Sequence, residues 1–238
     1  QWGDLGLPPK RSSFVVQALI ARHYLHGGCY PVCGAWRIGE AILPRIRAPG
    51  GEVFTYARVD EVLLRDGKVS GVRMADGHVI DCRVVISDAG AINTFTKLLP
   101  PQVVQQHGYD SLLRTVKPSI GHLGVYIGLQ GTAQELGLPK TNYWIYPGGN
   151  DYDGALDRFL QDPRGPFPVV YLSFPSAKDP SFEQRHPGRS TIEIVAPAPY
   201  EIFERWANSA WGQRGDDYDA LKQSYGERLL EHLYDKVP

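Results

Sequence analysis

Apolar positions recur at helical spacing in two stretches near the start of the chain. Over residues 11–26, Phe14, Ala18, Ile20, Ala21 and Leu25 fall near one face. Ser12 and Ser13 stand where a cap is needed, and Gly27-Gly28 closes the run. A tight segment follows, Gly28-Cys29-Tyr30-Pro31-Val32-Cys33-Gly34. Then Ala35, Ile38, Ile42 and Ile46 restore the helical period, with Pro44 inside it as a bend or stop. Gly50-Gly51 marks the change to a strand period. Residues 52–65 alternate around Val53, Tyr56, Val59, Val62 and Leu64. Asp66-Gly67 and Asp76-Gly77 are hairpin signals, so 52–80 is expected to be a three-stranded antiparallel meander. Val84-Val85-Ile86 is short, continuously apolar and β-branched. That pattern predicts a strand buried on both faces of a parallel sheet. It runs into Ser87-Asp88-Ala89-Gly90 and a helix over 91–99.

The second half changes character. Residues 120–129, 143–146, 169–174 and 191–195 read as long strands, separated by Pro-, Gly- and Asp-rich loops at 147–168 and 175–190. Helices are expected at 200–211 and 216–235. The latter carries Tyr218, Leu221, Tyr225, Leu229 and Leu233 on a stripe that belongs in a core.

Composition narrows the function classes. With 238 residues, 42% hydrophobic and 21% charged, the chain is ordinary globular material. At this length roughly 70% of the unfolded surface can be buried without disulfide staples. A formal net charge of -1 offers no attraction to nucleic acid. Three cysteines, Cys29, Cys33 and Cys82, cannot all pair with one another, which favours a reducing, cytoplasmic setting. No apolar run approaches the roughly 20 residues of a spanning helix, which leaves peripheral membrane contact open. The chain opens on Gln1 and stops at Pro238 after a helical stretch, and it reads as an internal piece of a longer protein.

Several motifs fail on inspection. There is no G-x-G-x-x-G and no phosphate-binding P-loop, so any dinucleotide site here is half a site. His26, Cys29 and Cys33 have the right ligand types for zinc but lack a fourth ligand, so no metal is expected. Tyr218-x-x-x-Lys222 matches a short-chain dehydrogenase pair without that family's nucleotide fingerprint. Asp60-Glu61 and Asp216-Asp217 suit solvated hairpin and helix-start positions better than general acid–base work. No Gly-x-Ser-x-Gly elbow supports hydrolase chemistry.

The informative constellation is longer. It runs Tyr30-Pro31-Val32-x-Gly34, a helix, Gly50-Gly51-Glu52-Val53, Ala57-x-Val59, Asp66-Gly67-Lys68-Val69-x-Gly71-Val72, Asp76-Gly77, and Val84-Val85-Ile86-Ser87-Asp88-Ala89-Gly90. The order and spacing resemble the middle of the FAD-dependent amine oxidase-like superfamily, in its phytoene desaturase, carotenoid isomerase and retinol saturase branch. Further segments resemble the same branch: Trp2-Gly3-Asp4-x-Gly6-Leu7-Pro8-Pro9, Ser173-Phe174-Pro175-Ser176-Ala177-Lys178-Asp179-Pro180, Pro187-Gly188-x-Ser190, and Arg214-Gly215-Asp216-Asp217-Tyr218.

The resemblance implies an α/β fold, in which part of a doubly wound FAD-binding domain is interrupted by an α+β substrate domain. Residues 1–47 would be substrate-domain helices and a flavin-proximal turn, 48–90 the middle of the FAD domain, and 91–238 the substrate domain. It implies redox chemistry at carbon–carbon double bonds of a hydrophobic polyene, with FAD as cofactor and NAD(P)H as a candidate electron donor. An amine oxidase-type flavoprotein and a non-catalytic scaffold of the same fold are the alternatives. The main chain at Val59 would meet the adenine, and Ser87, Asp88, Ala89 and Gly90 would lie near the dinucleotide. Tyr30, Pro31, Cys33 and Gly34 would face flavin or substrate. No catalytic side chain is implied. Relatives usually carry Gly-Gly where this chain has Cys33-Gly34. Cys33 is therefore expected beside the cavity, and Cys33→Gly is expected to cost roughly 0.5–1 kcal/mol through unfolded-state entropy.

Overall fold

The computed structural model describes residues 6–116 and 119–237, so the Trp2-Gly3-Asp4 part of the first loop motif lies outside them. The chain forms two compact units, Gln1–Ile42 with Ser119–Pro238, and Leu43–Pro118. Helix α1 (Phe14–Tyr24) and helix α2 (Trp36–Arg47) match the two expected periods, and the division falls within α2, next to Pro44. None of α1's residues is buried, and Phe14 is 84% exposed.

The unit Leu43–Pro118 holds the meander: β1 (Val59–Arg65), β2 (Lys68–Met74) and β3 (Val79–Asp81), antiparallel in the order β1-β2-β3. Asp66 (φ 52°) and Gly67 (φ 73°) make the left-handed turn that the hairpin needs. Residues 52–58, expected in the first strand, are not strand: Tyr56 has φ 57° and Phe54 and Tyr56 are exposed, so pairing begins only at Val59 with Met74. Val84-Val85-Ile86 also departs from expectation. It forms no strand, and Val84 and Ile86 are 74% and 95% exposed. A β-branched run becomes a buried strand only where neighbours pair with it and cover it. The ladder's last bond here is Cys82 N–H to the Ser70 carbonyl at 3.1 Å, and no partner strand flanks 84–86 among the described residues. The expected helix at 91–99 is α3 (Ala91–Asn93) passing into a looser turn, Thr94–Leu98, closed by Leu99 N–H to the Thr94 carbonyl at 3.2 Å. Two short helices follow, α4 (Pro101–Gln106) and α5 (Tyr109–Leu113), so this unit extends beyond the boundary drawn at residue 90.

The other unit is built on a four-stranded antiparallel sheet, β4 (Gly121–Gln130), β5 (Tyr143–Ile145), β6 (Val170–Ser173) and β7 (Arg189–Ala198), in the order β4-β7-β6-β5. Alternation sorts its two faces. Val170, Leu172, Ile192, Ile194 and Ala196 point to one side, where they pack with Phe159, Phe167 and Phe174. Helix α9 (Asp216–Tyr234) closes that core with the expected stripe, burying Tyr225, Leu229 and Leu233. Among the described residues every strand pairing is antiparallel, and the chain is a mixed α/β structure.

Helix α6 (Tyr152–Gln161) lies within the expected loop 147–168. Asp151 caps it by accepting from Gly154 N–H at 3.1 Å, and Ala155, Leu156 and Phe159 are its buried face. The loop 175–190 likewise contains α7 (Pro175–Lys178) and α8 (Phe182–Arg185). The helix expected at 200–211 is only two tight turns, Tyr200–Ile202 and Glu204–Trp206. Buried Trp206 meets Tyr218 edge-on at 5.1 Å, a case of tertiary packing overriding helix propensity.

Candidate functional site

The face of the sheet turned away from the core carries the candidate site, and strand register lays it out in rows. Gly124, Val195, Tyr171 and Trp144 are opposed in sequence across the four strands. Two residues along, Tyr126, Glu193 and Ser173 form the next row. The rows lie roughly 7 Å apart, two strand residues of rise. Two cavities open on this face. A mainly apolar one of about 290 Å³ is lined by Trp144, Val169, Tyr171, Val195 and Pro197, with His122 and Asn142 also on its wall. A polar one of about 700 Å³ is lined by Tyr30, Asn142, Ser173, Lys178 and Glu193. Both share Tyr24, Asn142 and Tyr171, so they form one cleft with an apolar limb and a polar limb. At β4's end of the row the Tyr126 ring lies against Gly124, where a Cβ would come within 3.0 Å of it.

The polar limb is organised around Lys178, at the end of α7. Its ammonium donates to Asn142 Oδ1 and to Ser173 Oγ (2.7 Å), and sits 5.8 Å from the Tyr30 ring centroid. Burial lowers the Lys178 pKa, while the charge of Glu193 works in the opposite direction. Burial raises the phenol pKa of Tyr30, with the negative charges of Glu193 and Asp179 adding to it.

The next residue, Asp179, holds the tight turn in place. Its side chain is 2% exposed. Oδ1 accepts from the N–H of Cys33 (3.0 Å), the N–H of Ser181 (2.9 Å) and the hydroxyl of Ser181 (2.8 Å), and Oδ2 pairs with Arg185. Desolvation works to raise this carboxyl's pKa, but the donors outweigh it and hold it down to about 2. Cys33 itself has φ 74° and Gly34 φ 98°. The structure thus brings together two motifs far apart in sequence, Tyr30-Pro31-Val32-Cys33-Gly34 and the Lys178-Asp179-Pro180 end of the second. Tyr30 lines the cleft; Cys33, by contrast, is not among its lining residues, and its Sγ lies 3.3 Å from the Ser181 hydroxyl oxygen. Pro31 and Gly34 form the turn through Gly34 N–H to the Pro31 carbonyl at 2.9 Å.

The remaining sequence-predicted residues lie in the other unit. Val59 is half-buried and opens β1. Ser87 and Thr94 share a hydroxyl–hydroxyl hydrogen bond of 2.7 Å, and Ala89 N–H reaches Ser87 Oγ at 3.4 Å. Asp88 is exposed. Gly90 has φ 85°, and a Cβ there would meet nothing within 4 Å, so its backbone is open to close approach. Among the described residues no group of three His, Cys, Asp or Glu side chains gathers as a metal site. Of the carboxylates set aside as surface charges, Asp60 pairs with Arg58 (2.9 Å) and Glu61 with Arg73 (2.7 Å). No helix among the described residues is long and apolar enough to cross a membrane.

Sequence reasoning did not single out Asp179, Lys178 or Glu193. The first two sat inside a motif valued only for resemblance. Glu193 carries no local signal; its place follows from strand register.

The fold is similar to that of a solved structure: a crystal structure of an oxidoreductase from Methanosarcina mazei matches with a TM-score of 0.52 and 19% identity, over 87% of this chain and 40% of that one. No protein-family model matches the chain. Its homologues are all-trans-retinol 13,14-reductases and phytoene desaturases. The human all-trans-retinol 13,14-reductase is 41% identical over 241 residues, 98% of this chain and 39% of that protein. A zebrafish protein named as an inactive all-trans-retinol 13,14-reductase is 34% identical, over 97% of this chain and 39% of its own length. The neurosporene-forming phytoene desaturase of Rhodobacter capsulatus is 28% identical, over 87% of this chain and 39% of its own. The chain spans about two fifths of the length of these relatives. These relatives agree with the FAD-dependent amine oxidase-like superfamily anticipated from the motifs.

Proposed function

We propose that the protein carrying this chain is an FAD-dependent oxidoreductase acting on carbon–carbon double bonds of a hydrophobic polyene, as a saturase or a desaturase. The observation that carries this reading is the cleft on the outer face of the four-stranded sheet, whose apolar limb at Trp144, Val169 and Val195 suits a hydrocarbon chain. The identity of 41% to a retinol reductase supports the same class.

FAD, where bound, exchanges hydride with the substrate. The residues of the unit Leu43–Pro118 fit one edge of a dinucleotide. Gly90 leaves its backbone open, Ser87 offers a hydroxyl, and Val59 begins the strand whose main chain would meet the adenine. On this reading Tyr30, Pro31, Cys33 and Gly34 form the flavin- or substrate-facing turn, with Tyr30 reaching the cleft and Asp179 fixing the turn from behind. The chain's own contribution is to bind, orient and exclude water. The motifs and the cleft supply no support for NAD(P)H as the electron donor.

A second reading, a protein that keeps the fold without the chemistry, is favoured by the relative named as inactive, at 34% identity. The two separate on the purified full-length protein. Bound flavin absorbance with turnover of all-trans-retinol or phytoene supports the enzyme. Bound flavin without turnover of any polyene supports the second reading. Absence of flavin and of turnover overturns the enzyme reading.

A further inference from the structure

The two limbs of the cleft differ in a way that a pure hydrocarbon does not use. The Lys178 ammonium has three N–H donors. Two are directed at Asn142 and Ser173, which leaves one for a ligand. Glu193 lines the same cavity, on the sheet row of Ser173. The ammonium only donates, and an ionised carboxylate only accepts. A single group that satisfies both must accept from one and donate to the other. A hydroxyl does this. A carboxylate end satisfies Lys178 but meets the like charge of Glu193. An ammonium end has the reverse conflict. A hydrocarbon end strips water from two charged groups and returns no hydrogen bond, which is costly.

We propose that Lys178 and Glu193 together are the head-group reader of this cleft: they select an elongated apolar ligand ending in a hydroxyl over the same ligand ending in a carboxylate or in hydrocarbon. The proposal rests on the polyene reading above and adds to it the residues that determine specificity. The strands set the direction. A chain that runs along them from the apolar limb, past Val195 and Tyr171, brings its end to Glu193 and Ser173 two strand residues further on. Tyr30 covers Lys178 with its ring and completes the wall of the polar limb.

The test is equilibrium binding to the full-length, flavin-loaded protein, read by quenching of tryptophan fluorescence, since Trp144 lines the apolar limb. The probes are all-trans-retinol, retinoic acid and a polyene hydrocarbon of similar length. The wild-type protein is expected to bind the alcohol about 10- to 100-fold more tightly than the other two, the range of one or two hydrogen bonds to charged groups. Glu193→Gln removes the like-charge conflict and is expected to raise acid affinity about 10-fold while changing alcohol affinity less than about 3-fold. Lys178→Met is expected to weaken the alcohol about 10-fold and leave the hydrocarbon unchanged or tighter. Lys178 also braces Asn142 and Ser173, so unfolding of that variant would leave Glu193→Gln to decide. Alcohol-to-acid ratios unchanged in Glu193→Gln overturn the head-group reader while the polyene reading stands. Failure of all three probes to bind the wild-type protein overturns both.

Discussion

The backbone N–H of Cys33 donates to Oδ1 of Asp179 at 3.0 Å, joining residues 146 positions apart. Asp179 is the carboxylate on which the tight turn, the Ser181 loop and Arg185 converge. Its substitution therefore acts on several groups at once. Asp179→Asn keeps an acceptor for Cys33 but leaves the Arg185 guanidinium without its charge partner. A loss of about 3 kcal/mol is expected, the scale of breaking one half of a buried pair. Urea unfolding of the full-length protein measures it. A loss under about 0.5 kcal/mol would show that the turn holds itself.

The same carboxylate makes stability depend on acid. Its pKa is held down to about 2 in the folded state, against 3.8 ordinarily. A depressed carboxyl contributes stability that is fully present above the unfolded value and lost as pH falls through the folded one. The stability difference between wild-type and Asp179→Asn is thus expected to be constant from neutral pH down to about 4, and to shrink between about 4 and 2. Urea midpoints of both proteins across that window check it. A difference that stays constant to pH 2 would remove Asp179 from the account.

What was legible in the sequence is what period and turn chemistry encode locally. The hairpin at Asp66-Gly67, the four strands of the second half, two of them shorter than expected, and the stripe on α9 all stand in the structure, because each is set by neighbours within a few residues. Val84-Val85-Ile86 misled for the opposite reason, since a buried strand is a property of its partners. Helix α6 was hidden behind Gly154 and a Pro/Gly-rich frame, although Asp151 and the spacing of Ala155, Leu156 and Phe159 could have revealed it. The candidate site was half legible. Tyr30 and the Lys178-Asp179 motif were quoted, but their meeting depends on contacts across the fold. Glu193 enters the cleft only through the register of β7 against β6.

Gly71 tests the meander independently of any site. It lies buried in β2 between both neighbours, paired with Leu63 on one side and Asp81 on the other. A Cβ there would stand 2.4 Å from the Ile80 carbonyl oxygen and 3.2 Å from Asp81 Cα, both backbone atoms that cannot rotate away. Gly71→Ala is expected to open the β2–β3 pairing and cost about 1–3 kcal/mol, the usual range for overpacking. Amide hydrogen exchange reads this directly: protection of the Cys82 amide, bonded to Ser70, is expected to fall, while the amides of β7 keep theirs.

The backbone at Cys33 offsets the cost that the sequence alone predicts for Cys33→Gly. Cys33 sits at φ 74°, where an L side chain is strained by about 1–2 kcal/mol and glycine is not. Relief of that strain opposes the roughly 0.5–1 kcal/mol that glycine's unfolded-state freedom costs. The substitution also gives up the contact between Ser181 Oγ and Cys33 Sγ, but not the backbone bond to Asp179. These effects nearly cancel, so stability within about 1 kcal/mol of wild-type is expected from urea unfolding. Because Cys33 does not line the cleft, binding of all-trans-retinol is expected to change by less than about 3-fold, under 0.7 kcal/mol. A loss beyond about 1 kcal/mol would mean that the sulfur contact outweighs the backbone strain. A gain of 10-fold or more in affinity would mean that Cys33 crowds the ligand after all, as the family's usual Gly-Gly at this turn first suggested.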